Sequence, residues 1–157
     1  MGTSNDSVTP MVVGTTAQLF RALHARIREI VQELDRDALN WKPDPGANSI
    51  AVLVTHALGS EQEMLAAVRG IVIARDRPAE FRAAVSEPAR LIAIVDRADT
   101  DLDLHAGAMT AEDLTALRPR GDNPPRPGLE WLISNYGHAR EHVAQIELTL
   151  QLYRTRS

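Results

Sequence analysis

The chain has no cysteine among its 157 residues. That absence excludes disulfides, thiolate metal ligands and a cysteine nucleophile carried by the protein, and it is compatible with a reducing compartment. Aromatic residues are also scarce, at 4%, so a core has to be assembled from Leu, Ile, Val and Ala. Such a core suits helices better than a sheet, whose strands favour aromatic and β-branched residues. There is no excess of basic charge: Lys plus Arg number 17 against 21 Asp plus Glu, a formal net charge of −4. A polyanion would find little to neutralise it, so nucleic acid is not an expected partner. No apolar run reaches bilayer length, and the N-terminus shows neither a basic region nor an apolar signal core. The expected setting is cytoplasmic, away from membranes.

What is present is enough for one domain. Hydrophobic residues make up 44%, ordinary for a globular chain. Residues 1–14 are expected to be a disordered tail, and residues 15–155 a single domain. Within that domain the apolar residues recur every three or four positions in four stretches. Leu19, Phe20, Leu23, Ile27, Ile30, Val31 and Leu34 mark a first helix over Thr15–Leu34, with Thr15 or Thr16 as its cap. Ile50, Leu53, Ala57, Met64 and Val68 mark a second over Ser49–Arg69. Leu91, Val95, Ala98 and Leu102 mark a third, begun by Ser86-Glu87-Pro88 and stopped near Gly107. The last runs from Gly128 to Tyr153 on Leu132, Ala139, Val143, Ile146 and Leu150.

Between them, Pro43, Pro45 and Gly46 break one connection, and an Arg-rich crossover spans Gly70–Val85. Thr110 and Asp113 form a capping box for a short helix, and Pro119, Pro124, Pro125 and Pro127 make a loop of Arg118–Gly128. No segment alternates as a strand should. The fold class is therefore all-α, a four-helix bundle with long crossover connections.

Chemistry concentrates on the last helix. His138 and His142 are four apart, hence stacked on one face, in line with Trp131, Asn135, Ile146, Thr149 and Tyr153. They lie on the shoulder of the apolar stripe. His56 occupies the same kind of shoulder on the second helix, in a column with Leu53, Ser60 and Ala67. Three neutral imidazoles from rigid elements with one position left open make a catalytic type of transition-metal site. Ser60, Glu61, Asn135 and Glu141, with Glu63, are candidates for supporting such ligands.

Other polar features have blander readings. His24 lies off the apolar stripe and is expected to be a solvated flank residue. His105 is expected to bond free carbonyls at a helix end. Asp99-Thr100-Asp101-Leu102-Asp103 imitates a calcium loop. It has Leu104 where Gly is required and Thr110 where the bidentate Glu belongs, so it reads as a solvated acidic face.

Three stretches resemble the DinB-like superfamily: Asn40-Trp41-Lys42-Pro43-Asp44-Pro45-Gly46-Ala47-Asn48-Ser49-Ile50; Val54-Thr55-His56 with Gly59-Ser60-Glu61; and Gly137-His138 with His142-Val143-Ala144-Gln145-Ile146-Glu147-Leu148. The resemblance runs from about Thr15 to Tyr153. It implies a four-helix bundle, commonly a homodimer. It also implies a divalent metal, nickel or zinc, on three histidines that match His56, His138 and His142. Relatives of this kind include S-transferases and isomerases that use an external low-molecular-weight thiol, bacillithiol or mycothiol, on a small-molecule substrate. No side chain is assigned as the catalytic group; a metal-bound water or the external thiol would carry the chemistry. The alternative is a non-catalytic metal-binding or stress-response bundle. His138-Ala139-Arg140-Glu141-His142 also spells the inverted HxxEH zinc-hydrolase pattern, with Glu141 as base. With so few residues after it, a downstream ligand is not expected.

Overall fold

A computed structural model describes residues 5–156. Four long helices form the bundle: α1 (Asn5–Val31), α3 (Ile50–Val68), α5 (Pro88–Ala108) and α7 (Gly128–Thr155). Three short helices and a hairpin fill the connections: α2 (Arg36–Asn40), α4 (Arg77–Glu80), α6 (Ala111–Thr115), β1 (Leu117–Arg120) and β2 (Asn123–Pro127). α1 and α3 each pack against both α5 and α7, so α1 and α3 stand diagonally across the bundle. α3 is buried nearly all round, because α2, α4 and β1 cover the side its helix partners leave open. Phe20, Ile27, Leu39, Ile50, Met64, Leu65, Leu91, Leu102 and Ile146 fill the centre. Each such side chain contributes about 1.5–3 kcal/mol by leaving water. Among the described residues no helix is long and apolar enough to cross a membrane.

Local chemistry sets most boundaries. Ser49 caps α3 by accepting from the Val52 amide at 3.3 Å. Asp35 and Asp76 cap α2 and α4 in the same way. Thr110 and Asp113 form the reciprocal capping box that starts α6. Trp41 packs at the end of the core, edge-on to Tyr153 at 5.7 Å between ring centroids.

Several expectations are corrected. The tail expected over residues 1–14 is helical from Asn5, because Val13 is buried in the core and Val12 packs against it; residues 1–4 lie outside the described residues. Pro10 lies in the second turn of α1 and, having no N–H, forfeits one backbone bond there. Thr15 and Thr16 are thus inside a helix, and the Thr16 hydroxyl donates back to the Val12 carbonyl. Ser86 does not cap α5: Glu87 holds that position without a side-chain bond, and Pro88 begins the helix.

The proline-rich loop contains an antiparallel hairpin in which Arg120 pairs with Asn123. Gly121, at φ +55, supplies the positive φ that such a two-residue turn needs at its first position. A two-stranded ribbon has only edges, so its prolines can keep their ring nitrogens off the ladder.

The acidic run on α5 is paired rather than merely solvated. Asp96 and Asp99 accept from Arg28, Asp101 from Gln62, and Asp103 from Arg21.

Candidate metal centre

His56 stands on the second turn of α3, and His138 and His142 on successive turns of α7, the helix packed against it. Helix spacing stacks the α7 pair with ring centroids 4.3 Å apart. Tertiary packing brings His56 to 5.3 Å from His138 and 5.0 Å from His142, each nearly perpendicular. Each histidine can offer one ring nitrogen to a common point, with those atoms all within 4.8 Å of one another. His56 is buried and the other two are half-buried.

The second nitrogens are fixed by the surroundings. His56 Nδ1 is 2.9 Å from Glu80 Oε2 and donates to it, which leaves Nε2 with a free lone pair. His142 Nδ1 donates to Gln145 Oε1 at 2.9 Å, and its Nε2 is buried with no partner. A buried ring nitrogen with an unused lone pair beside two other imidazoles fits a cation, and the donor set of three nitrogens suits a borderline transition metal.

Glu80 is itself held. Arg75 grips it with a two-pronged fork, Nε to Oε1 at 2.7 Å and Nη2 to Oε2 at 2.8 Å. Its carboxylate fits because residue 59, one turn beyond His56 on the same face, is glycine. A Cβ there would collide with Glu80 Oε1. Phe81 closes the other side, its ring 4.7 Å from that of His56.

A cavity of about 640 Å³ opens beside the cluster, lined by His56, His138, Arg75, Arg120, Arg126 and Asn135 among others. A larger hollow, about 850 Å³ around Arg36, Trp41 and Tyr153, contains none of the three histidines.

With this geometry in place, the sequence profile of the DinB superfamily matches residues 19–146. The chain belongs to the DinB superfamily. Its fold agrees. A conserved protein from Enterococcus faecalis superposes with a TM-score of 0.76 at 16% identity, covering 92% of this chain and 98% of that one. A DinB-like protein from Bacillus cereus gives 0.71 at 14% identity, covering 87% and 89%. No curated protein matches the sequence. At those identities the two structures speak for the DinB fold alone.

The residues expected to support the metal-ligating histidines are placed differently. None of Ser60, Glu61, Asn135 and Glu141 is hydrogen-bonded to a cluster histidine. Ser60 accepts from Asn135 and Arg120 on the cavity wall. Asn135 lines the cavity, and its Oδ1 is buried without a donor. Glu61 points to the far side of α3. Glu141 is exposed, so the HxxEH reading loses its base: a general base has to face the ion. The carboxylate that does serve the cluster is Glu80, which no helical periodicity marks in the sequence. Gly59 was the one local signal for it. Glu63 accepts from both Arg75 and Arg120 through a single oxygen, at 3.0 and 3.1 Å.

Electrostatics favour the neutral form of His138 and His56. Burial lowers His138, and His142, His56, Arg120 and Arg75 add to it, taking its pKa to about 4. Burial also lowers His56; Glu80 opposes this in part, while His142 and Arg75 reinforce it. Neutral imidazole is the form that ligates a metal.

His24 overturns its expected place on a solvated flank. It is 1% exposed and lies between two carboxylates, with Nδ1 2.7 Å from Asp99 Oδ1 and Nε2 2.9 Å from Glu61 Oε2. His105 is half-buried on α5, away from the cluster; its Nδ1 is buried and bonds no carbonyl.

Proposed function

We propose that this DinB chain is a metal-dependent enzyme in which His56, His138 and His142 hold a divalent ion, nickel or zinc. It would use an external low-molecular-weight thiol in S-transfer to, or isomerisation of, a small-molecule electrophile. The observation that carries this reading is the convergence of three imidazoles, those of His56 and His138 at the wall of a cavity. Among the described residues no fourth His, Asp or Glu joins the cluster, as a closed structural or storage site would need. When bound, the ion lowers the pKa of a thiol or water and polarises an electrophile. The chain itself positions: Glu80 orients His56 and fixes its tautomer, Gln145 does the same for His142, and Phe81 shields the His56 side from water. Having no cysteine, the chain relies on a thiol from solution.

Elemental analysis tests the first step. The native chain should carry close to one divalent ion, and a variant with all three histidines changed to alanine close to none; equal content in both would sink the reading. A thiol-consumption assay on the loaded protein then tests the reaction class.

A homodimer belongs to the same proposal. Ile133, Leu148 and Leu152 leave apolar side chains on the outer face of α7, 62%, 54% and 42% exposed. Sedimentation at low micromolar concentration should give a dimer, and a clean monomer refutes it.

A further inference from the structure

We propose that the cavity beside the three histidines takes a small molecule by an oxyanion, a carboxylate or a phosphate, held by Arg77, Arg120 and Arg126. This rests on the functional reading above only in calling the ligand a substrate, since the anion site needs no metal.

Charge comes first. Four arginines face the cavity, residues 75, 77, 120 and 126, against two carboxylates, Glu63 and Asp122, in a chain whose net charge is −4. Basic charge is the minority overall and the majority here.

Arg75 is spent on Glu80 and Glu63 and serves the His56 carboxylate. Arg120 has only the Glu63 oxygen that it shares with Arg75; its Nη2 goes to Ser60, whose oxygens are uncharged. Burial lowers its pKa, with Glu63 opposing and Arg75 adding to the effect, so its charge is held there at a cost an anion would offset. Arg126 reaches Glu130 at the exposed rim. Arg77 has no carboxylate partner among the described residues and lies over the Phe81 ring at 5.3 Å.

Geometry then favours one ligand group over scattered surface charge. Arg120 and Arg126 converge on the same indole, 5.6 and 5.0 Å from the Trp131 ring. Cation–π contact holds them there, and two like charges on one ring favour an anion nearby. Phe81, under Arg77, packs in turn against His56, its ring tilted by 39°. The rim cations therefore frame the entrance to the cluster. A planar guanidinium matches carboxylate or phosphate in a two-bond fork. The volume, about 640 Å³, suits a small molecule.

The test is calorimetry on the full chain, treated with EDTA, supported by Trp131 fluorescence in a Trp41→Phe background. The probes are succinate, phenyl phosphate and the neutral succinamide. Succinate or phenyl phosphate should bind saturably at low salt. Affinity should fall at least tenfold in the Arg77→Gln/Arg126→Gln double variant, whose residues are exposed and half-buried respectively, and should weaken as salt rises. The tighter of the two oxyanions names the group. No saturable binding of either, unchanged affinity in the double variant, or equally tight succinamide binding overturns the proposal. Because metal-free protein is used, this result is independent of the elemental analysis, and either can fail alone.

Discussion

Replacing His24 with alanine is expected to cost the fold about 3–5 kcal/mol, the range for stranding one member of a buried ion pair. For a domain of this size that corresponds to a fall of roughly 10 °C or more in Tm. His24 on α1 joins Glu61 on α3 to Asp99 on α5, and so ties the two diagonal helices together through the middle of the bundle. Without it the Glu61 carboxylate, 1% exposed and with Oε1 already unpartnered, has no charge to face. Changing both His24 and Glu61 to leucine removes both polar groups and should cost far less than the single change. Urea melts of the three proteins decide it, and a single-variant loss below about 1 kcal/mol would show that the network carries no weight in folding.

The same network gives the fold a pH dependence. Burial disfavours the charged His24, but Glu61 and Asp99 outweigh it and raise its pKa above the ordinary 6.5. Burial likewise raises the Glu61 carboxyl above 4.5, against the pull of His24. Both directions describe one proton kept on the His24–Glu61 pair. A raised folded pKa contributes stability in full below the unfolded value and loses it as pH rises through the folded value. Asp99 has the opposite sign. Burial pushes it up, but His24 and Arg28 outweigh that and hold it below 3.8, so its contribution is lost as pH falls through the lowered value. Stability should decline on the alkaline side of 6.5 in the native chain, and this decline should be absent from the double leucine variant.

Metal affinity is expected to fall about tenfold in Glu80→Gln and toward a hundredfold in Glu80→Ala, the usual range for losing the outer partner of a ligating histidine. Glu80 is the only carboxylate hydrogen-bonded to a cluster histidine among the described residues, and Arg75 holds it in place. Gly59→Ala should have a similar effect without touching either residue, because its methyl group takes the space of the Glu80 carboxylate. Competition against a chromophoric chelator measures all three. Native affinity in both Glu80→Ala and Gly59→Ala would mean that His56 needs no orienting partner.

The α7 histidine pair was legible in the sequence because its relation is local. His138 and His142 are one helical turn apart, and the apolar stripe on which they border fixes the direction they face. Four amphipathic periods likewise determined the bundle, and the quoted motifs its family. The rest is a matter of which elements meet. Glu61 and Glu141 sit close in sequence to the cluster residues, yet a helix turns one inward to His24 and the other out to solvent. Glu80 lies on a four-residue helix, 24 positions from the histidine it serves, and reaches it only once the crossover folds back over Gly59. His24 looks solvated on a wheel of α1 alone; it is buried because α3 and α5 bring a carboxylate to each ring nitrogen. Periodicity within one helix fixed which faces are apolar, and only the packing of helices against one another decided which polar groups those faces enclose.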